Sequence, residues 1–351
     1  MSGTRPPTNP SGLGQAGLVY VSDSDPGISR QRRGKGYCYR HHDGCLVTDP
    51  ETRDRIARLG IPPAYTDVWI CPDPAGHVQA TGFDVRGRKQ YRYHQDWQSL
   101  RSEAKFTHLL AFGNKLPQIR RTARADAERL AERRRAVLGA LVLLLDAARL
   151  RVGNRAYLRT NGTYGATTLL KRHVTFGHSI ELRFLGKGGR RLRRSLNAPR
   201  LQRILERIAD LPGRHLFGWE DEHGVRHGID SGVLNQYLAE IGGAGVSAKV
   251  FRTWGGTLSA FEQAASSIRR DQAPTIKMLC EAAAGELSNT PAICRSSYVH
   301  PQVLALATNP SLRTVLERQL RRKLKPKANI TIMEQRLLTF LRASRRQNDA
   351  G

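Results

Sequence analysis

Five widely spaced residues stand in distinctive local frames: Arg151 in RVGN, Lys187 in GKGG, Lys249 and Arg252 in KVFRTWGG, and Tyr298 in CRSSYVHP. One phenol and four cations can break a phosphodiester without a metal. The phenol attacks phosphorus, the phosphoryl group gathers negative charge, and positive groups aimed at that charge stabilise the transition state. A free phenol has a pKa of about 10 and attacks poorly at neutral pH, so guanidinium neighbours that favour phenolate help it. The leaving alkoxide is a strong base, which a lysine on a flexible turn can protonate as the bond breaks. Reversal reseals the strand, and a phosphotyrosine keeps the energy of the broken bond, so no ATP is required. Consistently, GKGG lacks the Ser or Thr of a nucleotide-binding phosphate loop, and no carboxylate cluster calls for an obligatory metal.

These residues need elements to hold them. Arg151 follows an apolar helical run at residues 136–145, with Gly153 and Asn154 expected as the helix stop. Alone, such an arginine would only complement the helix dipole. In residues 174–196, Ile180, Leu182 and Phe184 alternate with polar residues before Gly186, Lys187, Gly188 and Gly189, which predicts a hairpin with Lys187 at its tip. Ser247 is expected to cap a helix carrying Lys249 and Arg252 at i and i+3, on one face. The repulsion of two like charges there makes sense if a phosphate lies between them. Gly255 and Gly256 mark either a close backbone approach or the end of that helix. Thr290 and Pro291 read as N-cap and first helical residue, and Pro301 bars continuation, which puts Tyr298 at the end of a short helix. A tyrosine there could equally be a half-buried packing residue.

In bulk, 57 Lys and Arg against 30 Asp and Glu leave a net charge of +27. Self-repulsion of this size does not favour a compact chain, and it points to a polyanionic partner. Five cysteines, an odd number without a dense framework, predict a reduced, cytosolic protein. The longest apolar run is about half of what crosses a bilayer, so no membrane partner is expected. The fold class read from the pattern is α+β. Residues 1–34 are expected to be a disordered leader and residues 35–100 a small antiparallel β-sheet domain. Residues 101–310 read as a mainly α catalytic domain with a β-hairpin insert, including one long helix over 125–150, and residues 311–351 as a basic arm containing RQLRRKLKPK. Cys38, His41, His42 and Cys45 are ligand types suited to zinc, but the segment reads better as two strands joined through His42-Asp43-Gly44.

With those residues in place, the chain resembles type IB DNA topoisomerases of the compact bacterial and poxvirus-like branch, over residues 36–303. The resemblance includes LGIPPAYTDVWICPDPAGHVQATGFDVRGRKQYRYH in the β domain. It implies that Tyr298 is the nucleophile that becomes linked to a 3′ phosphate, and that Arg151 and Arg252 clamp the nonbridging oxygens. It further implies that Lys187 is the general acid and Lys249 an additional phosphate contact. Asn289 stands where poxvirus enzymes have a histidine; an amide donates a hydrogen bond but does not titrate. Gln90, Tyr91 and Tyr93 match positions that contact the DNA major groove, with Arg88 a phosphate candidate, although Tyr91 and Tyr93 on one strand face could instead be an aromatic packing ladder. The implied protein is a monomeric C-shaped clamp on duplex DNA, nucleoid-associated, working without cofactor or metal. Two rivals differ from it. A tyrosine recombinase ordinarily carries H-x-x-R where this chain has Lys249-Val250-Phe251-Arg252, and it lacks the β module; an architectural DNA clamp would have lost the catalytic set.

Overall fold

Short strands separated by turn residues build the first of two structural units, which divide between residues 105 and 106. The computed structural model describes residues 17–34 and 36–348. In the first unit, β1 (Ile28–Arg33), β2 (Gly36–Arg40), α1 (Pro50–Arg58), β3 (Thr66–Ile70), β4 (Val78–Phe83) and β5 (Lys89–Tyr93) follow in order, and the strands form one antiparallel sheet ordered β2-β1-β3-β4-β5. Ile28, Val68, Ile70 and Ala80 pack with Ile56 of α1 in its core. Helix α1 starts where the Asp49 carboxylate accepts from Thr52 N and Pro50 fills the first turn.

Residues 17–34, expected as part of a disordered leader, instead belong to the first unit. Residues 1–16 lie outside the described residues, but β1 is a full member of the sheet, and Val19 exchanges backbone hydrogen bonds with Ala75 and His77. The physical reason is that ladder bonds involve only the backbone, so a polar strand with one buried side chain, Ile28, carries no apolar period to read.

The second unit is mainly helical. Its elements are α2 (Gln95–Glu128), which spans the boundary in sequence, α3 (Arg133–Ala148), α4 (Arg155–Asn161), β6 (Val174–Thr175), β7 (Ile180–Gly186), β8 (Arg190–Leu196) and α5 (Pro199–Ala209). There follow β9 (Gly218–Glu220), β10 (Arg226–Gly228), α6 (Ser231–Gly242), α7 (Ala248–Arg269), α8 (Ile276–Leu287), α9 (Pro291–Ser297), α10 (Pro301–Leu304), α11 (Pro310–Arg321) and α12 (Ile332–Asn348). Strands β6, β7 and β8 form a three-stranded antiparallel sheet whose inward residues Ile180, Leu182 and Phe184 are buried. Among the described residues no helix is long and apolar enough to cross a membrane, and no group of three or more His, Cys, Asp or Glu is placed to hold a metal ion.

Helix α7 is the centre of this unit, packing on α3, α6, α8, α10, α11 and α12. Phe251 and Trp254 on α7 meet Phe112 of α2 edge-on, with ring centroids 5.0 and 6.0 Å away, the favoured geometry for aromatic quadrupoles. Two expectations are corrected here. The single helix over residues 125–150 is two: a turn through residues 129–132 reverses the chain, and α3 then lies so close to α2 that a Cβ on Gly139 would strike the Ala123 carbonyl. Apolar periodicity persists across such a turn because both helices face one core. The segment after Pro310, expected as an exposed basic arm, instead forms α11 and α12, with Leu312, Leu316, Leu337, Phe340 and Leu341 buried in the common core. Arg318, Arg321, Arg322 and Lys323 are exposed while Arg336 is buried, and charge counting alone hides the apolar stripe of these amphipathic helices.

The C-terminal helix also closes a buried ion network. Arg120 contacts Asp146 at 2.6 Å and Glu334 at 2.7 Å, Arg149 contacts Asp146 at 2.6 Å, and Trp254 Nε1 donates to Glu334 at 3.1 Å. Burial opposes ionisation of each group. The facing charges nonetheless hold the Arg120 guanidinium above its ordinary value and both carboxyls below theirs. Two cations balance two anions, so neutralising one anion leaves an uncompensated buried charge. Glu334→Gln is therefore expected to destabilise the protein by about 3 kcal/mol, read as a lowered midpoint in urea unfolding; an unchanged midpoint would show the network to be dispensable.

Candidate active site

Buried Arg252 is the hub of the site. It lies on α7, whose first turn is capped differently from the sequence expectation: Ser247 occupies the N-cap position without a side-chain bond, and the Asn235 amide oxygen accepts from Ala248 N at 3.0 Å. The Arg252 guanidinium, 5% exposed, donates through Nη2 to the Leu287 carbonyl at 2.9 Å and through Nη1 to the Arg149 carbonyl. Its central carbon lies 5.2 Å from the centroid of the Tyr298 ring, so the guanidinium is held against the phenol. Burial, and after it the positive charge of Arg151, lowers the proton affinity of Arg252, while Tyr298 works in the opposite direction.

Arg151 comes from the chain just past α3. That helix stops at Arg149, which adopts the left-handed conformation (φ 52°), rather than at Gly153 or Asn154. Gly153 (φ 95°) serves a different purpose: it lets residues 151–153 cross residues 165–167, where Ala166 N and Thr167 N donate to the Arg151 and Val152 carbonyls at 2.8 and 2.7 Å. From this crossing the Arg151 Nη2 donates to the Asn289 amide oxygen. With that oxygen taken, the Asn289 amide nitrogen is left as a donor. Among the described residues, Asn289 Nδ2 and Arg252 Nε are both buried without a hydrogen-bond partner.

Tyr298 terminates α9, which Thr290 caps through Ile293 N at 3.3 Å and Pro291 begins. The nearby glycine pair is a close approach, not a helix end. Helix α7 continues to Arg269, and a Cβ on Gly256 would sit 2.8 Å from Leu287 Cδ1 and 3.2 Å from both Cβ and O of Tyr298. One residue on, the Thr257 hydroxyl donates to the Tyr298 carbonyl at 3.0 Å and accepts from His300 N at 3.1 Å. No sequence signal singled out Thr257, because an alcohol inside an apolar helix pattern looks like an ordinary core position.

Contacts and charge link Tyr298, Arg252, Arg151 and Asn289, whereas two of the expected cations, Lys187 and Lys249, are exposed. Lys187 occupies the exposed turn between β7 and β8, where Gly188 (φ 78°) and Gly189 (φ 72°) make the reversal. Lys249 is exposed although Arg252 is buried. Residues at i and i+3 differ by about 60° around a helix axis, enough for the edge of the core to fall between them. Among the described residues no hydrogen bond or ion pair holds either lysine. In the first unit, Tyr91 and Tyr93 do share a face of β5 and stack with centroids 5.8 Å apart, Tyr91 largely exposed. Arg88 pairs with Asp84 at 2.6 Å and Gln90 Nε2 donates to the same carboxylate at 3.0 Å. The hydrogen bond from Arg88 holds the Asp84 carboxyl down at about 2.

Residues 91–297 match the family described as eukaryotic DNA topoisomerase I, catalytic core, ending one residue before Tyr298. Residues 36–84 match the bacterial DNA topoisomerase IB N-terminal domain. A DNA topoisomerase 1B of Acanthamoeba polyphaga mimivirus is 31% identical over 296 residues, covering 81% of this chain and 88% of that one. The chain belongs to the type IB DNA topoisomerase family.

His300, two residues past the tyrosine, is folded in its neutral form: burial pushes its pKa down to about 4, its ring meets Phe106 edge-on at 5.1 Å, and Nδ1 accepts from Gln302 N. Because the folded pKa is depressed, the stability this residue contributes is complete above the unfolded value of about 6.5 and is lost as pH falls toward 4. His300→Asn, which can keep the cap, is expected to flatten the decline of the urea midpoint between those pH values. An equally steep decline in the variant would contradict this.

Proposed function

We propose that the protein relaxes supercoiled duplex DNA through a transient single-strand break in which Tyr298 carries the 3′ phosphate. The phenol oxygen bonds to phosphorus and gives up its proton to solvent; the bond from phosphorus to the 5′ oxygen breaks, and Lys187 supplies the proton that oxygen takes. In the reverse direction the 5′ hydroxyl attacks the phosphotyrosine, returns its proton to Lys187 and restores the strand, so no ATP is consumed and no metal is required. The two buried, unpartnered donors, Asn289 Nδ2 and Arg252 Nε, are the observation that carries this reading. Buried donors without partners are costly, and a phosphoryl group beside Tyr298 would give them one. Arg151 is then both a phosphate ligand and the group that turns the Asn289 amide so that it donates.

Lys187 is assigned the proton because a two-glycine turn lets it reach a scissile phosphate once duplex is bound, and Lys249, at the exposed start of α7, is assigned a further phosphate contact. On the N-terminal sheet, exposed Tyr91 with Tyr93, Gln90 and Arg88 are proposed to face the duplex, Arg88 leaving Asp84 for a backbone phosphate. The two units are proposed to close on duplex DNA as a C-shaped clamp that acts as a monomer in the cytoplasm, at the nucleoid. The net charge of +27 supports a partner that neutralises it. The N-terminal domain match at residues 36–84 disfavours a tyrosine recombinase.

Relaxation of negatively supercoiled plasmid is expected with chelator present and ATP absent, and Tyr298→Phe should abolish it. Arg252→Ala should slow single-turnover cleavage by about 100-fold or more, as for other transition-state donors, with a small change in noncovalent affinity. Relaxation by the Tyr298→Phe protein would remove the nucleophile from this reading, and equal losses in affinity and rate would make Arg252 a docking residue.

A further inference from the structure

Thr257 sits at the junction that fixes where the phenol starts, bonded to the backbone of the Tyr298 segment. Its side chain is fully buried on α7, five residues after Arg252. The single hydroxyl makes two bonds to the segment that carries the tyrosine: it donates to the Tyr298 carbonyl at 3.0 Å and accepts from His300 N at 3.1 Å. That uses the one proton of the alcohol and one of its lone pairs, so both backbone groups are satisfied by an atom that no other buried residue type of this size except Ser supplies. Gly256, next to it, allows the Tyr298 backbone to lie directly on the helix. The preceding turn of the same helix carries Arg252, whose guanidinium lies against the Tyr298 ring.

We infer that Thr257 is a positioning residue for strand cleavage. Its hydroxyl pins the Tyr298–His300 backbone to α7, so that the nucleophile and Arg252 are held at a fixed spacing by one rigid helix. The inference rests on the reading of Tyr298 as the nucleophile. It adds that the tyrosine's placement depends on a specific hydrogen-bonding alcohol and not merely on packing. Attack on phosphorus requires near-attack geometry, and a displacement of about 1 Å at the nucleophile costs on the order of 100-fold in rate. Ground-state binding of duplex, spread over many basic residues, would hardly notice such a displacement.

The test compares wild type, Thr257→Val, which keeps the shape and removes the hydroxyl, and Thr257→Ser, which keeps the hydroxyl and removes the methyl. Each is assayed for single-turnover formation of covalent adduct on a duplex whose short leaving fragment dissociates, and for noncovalent affinity on the same duplex. Thr257→Val is expected to cleave about 10- to 100-fold more slowly with affinity within about twofold, and Thr257→Ser to recover most of the rate. The Val defect should persist when sulfur replaces the leaving 5′ oxygen, because a thiolate departs without a proton donor and the fault lies with the nucleophile. If the Val variant does not fold, Thr257→Ala decides the matter, since it also removes the hydroxyl and should show the same loss confined to rate. Wild-type cleavage by the folded variant that lacks the hydroxyl, an equal loss in Thr257→Ser, or a matching loss of affinity would overturn the inference. Absence of adduct with the wild-type protein would instead count against the reading of Tyr298 itself.

Discussion

A buried guanidinium that, among the described residues, has no carboxylate partner is the constraint on which this site depends. Arg252 is nearly inaccessible, and its fixed ties run to the carbonyls of Arg149 and Leu287 and to the face of the Tyr298 ring. A charge in that position is ordinarily expensive. Carbonyl oxygens solvate it in part without neutralising it, so the positive field remains available to something anionic beside the phenol. Had a carboxylate been placed there, the pair would have satisfied itself and the field would be gone.

Three parts of the chain converge on that one group. The Arg149 carbonyl is where it is because α3 ends in a left-handed residue and because the Arg149 side chain is held by Asp146, within the ion network that reaches Glu334 on the last helix. The Leu287 carbonyl belongs to the end of α8, where Ser288 adopts φ 49° and turns the chain toward Asn289. The tyrosine arrives from α9, and its backbone rests on α7 at Gly256 and Thr257. The site is therefore a property of how helix ends meet on α7. The C-terminal helix, remote from it in sequence, belongs to the same packed body through Glu334 and Trp254.

Much of this was legible in the residues. The caps at Thr290 and Pro291, the strand alternation before Lys187 and the glycines of its turn are local signals, and local signals survive folding because they are written within a few residues of one another. Gly255 and Gly256 left a close approach and a helix end equally open, and the structure decides for the approach. Contacts assembled from distant segments were not legible. Asn235 displaces Ser247 as the cap of α7, β1 joins the sheet by backbone pairing, and α11 and α12 bury an apolar stripe beneath a basic surface. The burial of Arg252 beside the exposure of Lys249 was likewise invisible, since spacing gives angular position on a helix but not where the core's edge falls.

The most direct measurement of the central claim is to map the covalent adduct. The wild-type protein would be trapped on a duplex whose leaving fragment cannot return, digested with protease and nuclease, and the modified peptide sequenced by mass spectrometry. A nucleotide joined through its 3′ phosphate to Tyr298 is the predicted result. Attachment to any other residue, or through a 5′ phosphate, would contradict the account.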